Sequence, residues 1–318
     1  MIFRRDEEKI KPGIRSVKRT SLSELFIRQH LRAVTRSLPA AQRGNADSLH
    51  QARVASRRLR EALPIVAKGT RGRKLEREER RLTRALGPVR ELDVALMMLD
   101  ELEGSASASR VPRRAIATLR HVIGEERRLL HRDMCRRISE VDLGKLQARA
   151  IAAARKKGPK RARGRIADPA RLAEAEQRAA RRALALRAGI ENASGIYLPD
   201  RLHEVRIAIK KLRYAMELTR ELSGSRAVAR IRALKKAQDL LGRMHDLEVL
   251  IAHTRGVQGA SRVPTLRVSG HLDQLVRHLE RECRRLHGEY IASRRTLLSI
   301  CDDVEKTGKR TAAAASAV

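Results

Sequence analysis

Two segments of this sequence carry a histidine followed by cations at helical spacing. Residues 47–62 read DSLHQARVASRRLREA, and residues 200–215 read DRLHEVRIAIKKLRYA. Aligned without a gap, they share Asp47/Asp200, Leu49/Leu202, His50/His203, Arg53/Arg206, Ala55/Ala208, Leu59/Leu212, Arg60/Arg213 and Ala62/Ala215. Arg57 and Arg58 become Lys210 and Lys211, so charge is kept where identity is lost. On a helix of about 100° per residue, His50, Arg53, Arg57 and Arg60 fall in one sector of about 80°. His203, Arg206, Lys210 and Arg213 repeat that sector. Leu49, Ala52, Leu59 and Leu63, and in the second copy Val205, Ile209, Leu212 and Met216, lie on the opposite side, where a core belongs.

Each stripe is about 15 Å long, with a cation on every turn. A chain of phosphates can engage several such groups at once. Arginine suits this chemistry because its planar fork makes paired bonds to phosphate oxygens. Asp47 and Asp200 are the expected N-caps, which would put each histidine at the third helical position. There the helix dipole and free backbone N–H groups favour an anion. A histidine in that setting gains proton affinity when an anion binds. Arg58 and Lys211 lie at the flank of the stripes as additional candidate contacts.

The elements that position these stripes are helical throughout. Helix periodicity is nearly continuous and strand signals are nearly absent. The pattern predicts helices at roughly 21–37, 47–67, 71–102, 112–140, 169–193, 200–222, 225–255 and 268–302, four in each half. Breaks are expected at Pro39 and Gly44, around Gly69–Gly72, at Gly104–Ser109, at Gly195 and Pro199, at Gly224 and at Gly256–Pro264. Gly87-Pro88 should kink or split the third helix. A second segment also repeats: LGPVRELDV from Leu86 aligns with LGRMHDLEV from Leu241. It pairs Arg90 with His245, two further candidate anion contacts, and Asp93 with Glu248, acids that could orient arginines. The spacing from His50 to His203 is 153 residues and from Leu86 to Leu241 it is 155. Two motifs in one order at nearly one spacing indicate duplication. The expected organisation is a basic segment at 1–19, a first half at 20–154, a basic linker at 155–168, a second half at 169–302 and a disordered tail at 303–318.

A formal net charge of +34 favours polyanionic partners: nucleic acid, an anionic membrane surface or inorganic polyphosphate. Aromatic residues make up 2% of the chain and tryptophan is absent, which is poor equipment for stacking single-stranded bases. Cys135, Cys283 and Cys301 form no CxxC and read as reduced thiols. No apolar run reaches the roughly 18 residues of a membrane span, and the N-terminus lacks the apolar stretch of a signal peptide. The expected location is cytoplasmic, without membrane insertion.

Enzymatic signatures are weak. His203-Glu204 begins an HExxH, but position 207 is isoleucine. His245-Asp246 resembles part of a helical metal phosphohydrolase site, but its repeat partner is Arg90-Glu91, which suits a cationic surface better than a metal cage. No P-loop or dinucleotide-binding glycine fingerprint occurs. Arg120, Arg127, Arg128, His131 and Arg132, and Arg277, His278, Arg281, Arg284, Arg285 and His287, form further basic clusters that read as exposed helix charge. No catalytic residue, metal or cofactor is expected. Weak nucleic-acid binding and a metal-dependent polyphosphate hydrolase are the alternatives to simple anion binding.

LHQARVASRRLR and LHEVRIAIKKLRYAMEL, each followed by its LG segment, resemble the signature helices of the CHAD family, the conserved histidine α-helical domain. The resemblance spans roughly residues 20–302. It implies an all-α fold of two four-helix bundles related by pseudo-twofold symmetry. It also implies binding of inorganic polyphosphate by the basic helix faces and association with polyphosphate granules. The residues it assigns to that role are His50, Arg53, Arg57, Arg60, His203, Arg206, Lys210 and Arg213. Some family members carry a preceding CYTH catalytic domain. The ExExK signature of that domain is absent here, so a stand-alone, noncatalytic member is expected.

Overall fold

The computed structural model describes residues 22–67, 69–104, 112–155, 169–193, 195–223, 227–259 and 265–316. These form ten helices and no strand: α1 (Leu22–Gln42), α2 (Ala46–Val66), α3 (Gly69–Ala85), α4 (Gly87–Gly104), α5 (Arg113–Ser139), α6 (Leu143–Arg155), α7 (Pro169–Asn192), α8 (Pro199–Ser223), α9 (Val228–Gln258) and α10 (Leu266–Ser316). The expected segment at 1–19 lies outside the described residues, as does the linker beyond Arg155.

The turn that starts the first motif helix is built by Gly44 and Asn45. Gly44 has φ +94°, a left-handed conformation that glycine adopts without a Cβ clash. Its N–H donates to the Ala41 carbonyl at 2.9 Å, and the Asn45 N–H donates to the Ala40 carbonyl at 3.0 Å. This is a Schellman termination of α1. Asn45 then caps α2, its side-chain oxygen accepting from the Ser48 N–H at 2.8 Å. The cap is therefore Asn45, not Asp47, and α8 begins with Pro199 rather than being capped by Asp200. Both histidines sit at the fifth helical position, one turn from the start. The correction follows from Asn45, which serves both helices at once, and from the fixed φ of a proline at the first helical position.

Gly87-Pro88 splits the helix expected at 71–102 into α3 and α4, because Pro88 has no N–H to donate. At the repeat position Gly242 is followed by Arg243, and α9 runs through unbroken. The helix expected at 112–140 is followed by an extra one, α6, whose N-terminus Asp142 caps by accepting from the Lys145 N–H at 2.8 Å. The first half thus has six helices among the described residues rather than four. Pro39 does not end α1, which continues to Gln42 and terminates at Gly44.

The tail expected to be disordered is helical as far as Ser316. Gly308 explains why: a Cβ there would lie 2.5 Å from the Ala180 Cβ of α7, so α10 rests flush on α7. Gly308→Ala should lower Tm by about 2–8 °C, the effect of roughly 1–2 kcal/mol of overpacking. Gly288→Ala is the control, because a Cβ there meets nothing within 4 Å. It should leave Tm unchanged or raise it by removing a helix glycine. A thermal melt of both variants checks this.

The apolar faces close into two cores. One joins α1, α2 and α3 to the C-terminal part of α5, to α6 and to Leu218 and Leu222 of α8. The other joins α7–α10 to Leu92–Leu102 of α4 and Ala115–Ile123 of α5. The cores therefore do not divide along the sequence halves: α4 and α5 cross from one to the other. Ion pairs stitch the crossing. Buried Glu61 of α2 accepts from Arg178 of α7 at 3.0 Å. Buried Asp93 of α4 pairs with Arg127 of α5 at 2.5 Å, and Arg127 also donates to the Gly44 carbonyl at 2.9 Å. One salt bridge thereby holds α5 against the turn that starts the first motif helix.

Candidate anion-binding site

The core residues of the two motifs are where the wheel placed them. Leu49, Ala52, Leu59 and Leu63 are buried, as are Val205, Ile209, Leu212 and Met216. With those faces inward, α2 and α8 pack on each other and their cationic stripes meet. The electrostatic consequence is written in the side-chain acidities. Burial pushes Lys210 down to about 6, helped by the positive charges of Arg206, Arg57 and Arg53. Burial pushes Arg53 down to about 10, with Arg57 and Arg206 adding to the effect. Arg206 is lowered too, first by burial. Cations from both helices thus crowd one another and are short of counter-charge.

The counter-charge that exists comes from the second repeated segment. Glu91 of α4 and Asp246 of α9 are matched positions, and both act on the cluster. Asp246 stands 3.8 Å from the Arg206 guanidinium, an ion-pair distance but too long for a hydrogen bond. The Nε of Arg206 is buried and has no hydrogen-bond partner. Arg57 and Lys210 have no ion pair among the described residues. The sequence paired Glu91 with Asp246 only in weighing a metal site, and their role beside the arginines was missed.

The same segment supplies the floor. A Cβ on Gly87 would stand 3.0 Å from Nη1 of Arg53, and one on Gly242 would stand 3.8 Å from Nε of Arg206. Gly87 therefore lets Arg53 lie close over the helix backbone, whereas at Gly242 a Cβ would make an ordinary contact with Arg206. Arg53 also donates from Nη1 to the Thr83 carbonyl at 3.4 Å, which fixes its reach.

The histidines flank this cluster. His50 is lowered by burial and by Arg90, opposed by Asp47. His203 is lowered by burial, Arg206 and Lys210. Its Nδ1 lies 3.0 Å from Nδ1 of His245, so one ring donates and the other accepts. Burial and neighbouring cations hold His245 near 3. The matched pair Arg90/His245 thus does one job twice, each residue standing beside its motif histidine. A cavity of about 400 Å³ opens beside His203 and His245, edged by Tyr197, Asp200 and Glu248. Glu248 accepts from the Tyr197 hydroxyl rather than from an arginine.

Other sequence candidates are not brought to the shared face. Arg213 is buried, donates to Glu217 and, at 2.9 Å, to Gln238, and lies over the Tyr214 ring at 4.5 Å. Arg58 is paired with Glu217 at 3.0 Å. The helix turns Arg60 and Lys211 toward the acids Glu79 and Glu61. In each case a carboxylate already holds or faces the charge, on the same helix for Arg213 and on a neighbouring helix for Arg58, Arg60 and Lys211. Among the described residues, no group of three or more His, Cys, Asp or Glu side chains is placed to hold a metal ion.

An all-helical chain with two cationic helices converging on one face is the class this geometry defines. The chain belongs to the CHAD domain family, whose model matches residues 26–255. Its fold is similar to the crystal structure of the CHAD domain from the plant Ricinus communis. That match has 21% identity and a TM-score of 0.63, and covers 87% of this chain and 92% of that one. It is also similar to PptA from Streptomyces chartreusis, at 15% identity and a TM-score of 0.56, covering 86% and 97%. No curated protein matches the chain. No helix among the described residues is long and apolar enough to cross a membrane.

Proposed function

We propose that the shared face binds inorganic polyphosphate without turning it over, and that the protein associates with polyphosphate granules in the cytoplasm. One observation carries this reading. Arg53, Arg57, Arg206 and Lys210, from two different helices, form one cluster with less negative charge than it needs, and burial together with those neighbouring cations holds Lys210 near 6. A polyanion supplies the missing charge. The contacts lie on rigid helices rather than loops, so the site is prearranged. His50, His203, Arg90 and His245 stand at its rim as donors to phosphate oxygens. Arg213 and Arg58 act structurally, through Glu217. Membership in the CHAD family supports the same ligand.

The test is competition between polyphosphate and duplex DNA at equal phosphate concentration over a range of salt. The expected result is that polyphosphate displaces DNA and that DNA does not displace polyphosphate. A flexible single chain adapts to cations drawn from two helices, which a stiff duplex does not. Displacement of polyphosphate by DNA would reduce the site to nonspecific charge. Shortening of polyphosphate in the presence of a divalent metal, lost on His245→Ala, would contradict the noncatalytic reading.

A further inference from the structure

A second cationic cleft lies away from the motif helices, between α3, α5 and α6. It has a volume of about 660 Å³, and Arg81, Arg84, Arg136, Arg137, Lys145 and Arg149 line it. The carboxylates lining it are Glu78, Glu140 and Asp142, so the cations outnumber them. All six cationic residues are exposed. Arg137 pairs with Asp133 at 2.6 Å, Lys145 with Asp142 at 2.9 Å and Arg149 with Glu78 at 3.0 Å. Arg136 shares Asp133 with Arg137, so one carboxylate serves two guanidinium groups. Arg81 and Arg84 have no ion pair among the described residues. Exposed pairs of this kind contribute little and exchange readily for a better anion.

The cleft is separate from the shared face by construction. Thr83 is the α3 residue that meets Arg53, through its carbonyl, and it bonds Ser56 of α2 at 2.9 Å. At about 100° per residue, Arg81 points roughly 160° from Thr83, and Arg84 about 100° from it. The cleft therefore occupies the reverse of α3. It also has no counterpart in the second half. It opens at the turn between α5 and α6, and at the repeat spacing that turn falls within uninterrupted α10. Duplication does not explain it, nor does the pairing of the two motifs.

We propose that this cleft is a second anion site, specific to the first half, that takes a short linear oligophosphate. Arg81 and Arg84 supply the unpaired forks. Arg136, Arg137 and Arg149, themselves exposed, turn from the half-buried Asp133 and Glu78 to the phosphates. The cleft has no aromatic lining, so it reads phosphate charge and spacing and nothing attached to them.

The probe is inorganic tripolyphosphate, titrated calorimetrically into the full chain. The first variant, Arg53→Glu with Arg206→Glu, disables the shared face. It should still bind one equivalent of tripolyphosphate. Adding Arg81→Glu with Arg84→Glu should then weaken that binding at least about tenfold, the loss of two charge-assisted contacts. Arg277→Glu with Arg281→Glu, at exposed positions of α10, changes net charge equally and should leave it within about twofold. Circular dichroism checks that each variant folds, which is the expected outcome for Arg81, Arg84, Arg277 and Arg281 because all four are exposed. The proposal is overturned if the face-disabled variant binds no tripolyphosphate, if the Arg81/Arg84 reversal changes nothing, or if the α10 control weakens binding equally. Loss of all polyphosphate binding from Arg81→Glu with Arg84→Glu in the otherwise native chain would instead contradict the shared face and leave the cleft standing.

Discussion

Arg53→Glu combined with Arg206→Glu should weaken polyphosphate binding by about 10²–10⁴-fold, while Arg277→Glu combined with Arg281→Glu should weaken it no more than a few-fold. Both pairs change net charge by the same amount. Only the first removes guanidinium groups from the meeting line of α2 and α8. A hydrogen bond to a charged group contributes about 1.5–3 kcal/mol, and two are lost. The introduced carboxylates add repulsion beside Glu91 and Asp246. The fold should survive, because in the native chain these positions hold crowded cations whose charged forms burial already disfavours. Fluorescence titration with labelled polyphosphate, alongside thermal melts, measures both halves of this prediction.

The second large effect concerns Lys210. Its amine in the folded protein titrates at about 6, against an ordinary 10.5. The unfolded chain therefore binds more protons at this position between those values, and stability should rise with pH across that window. Below about pH 6 the destabilisation is at full size; above about 10.5 it is gone. Lys210→Met keeps the stem and removes the charge. It should raise Tm at pH 7 by about 3–8 °C and flatten the rise of stability with pH. The same substitution should weaken polyphosphate binding, since the bound anion is what stabilises the charged amine. In the native chain, binding should take up protons at Lys210, His50 and His203, whose acidities are all shifted toward the neutral form. Affinity should therefore strengthen as pH falls from 8 to 6. Calorimetry in buffers of differing ionisation enthalpy reads the proton uptake directly. A variant more stable and equally tight in binding would detach Lys210 from the site.

The fold class was legible because the apolar positions of each motif repeat at helical spacing. Leu49, Ala52, Leu59 and Leu63 had to face inward, and they do. Charge position was less legible. Arg213 matches Arg60 in the alignment, yet Glu217 one turn along draws it into the core, and Glu217 has no acidic counterpart at Pro64 in the first copy. A helical wheel gives direction but not partners. The start of α2 was misplaced because Asp47 and Asn45 are both good capping residues. Only the left-handed Gly44 before Asn45 decides between them. Gly87 was read as a break signal with Pro88, and Gly242 only as its repeat partner. Their place beside Arg53 and Arg206 needs the packing of α4 and α9 against the motif helices. Gly308 shows the same limit: a low-complexity tail conceals a close helix contact.

The central claim is that α2 and α8 hold one polyphosphate chain together. Calorimetric titration of Arg53→Glu, Arg206→Glu and the double variant with size-fractionated polyphosphate tests it most directly. Arg81→Glu and Arg84→Glu are included in every protein so that only the shared face is read. Each single reversal should weaken the whole of the binding at unchanged stoichiometry. Loss of half of the sites in each single variant, with the rest binding at native affinity, would show two independent stripes and contradict a shared face.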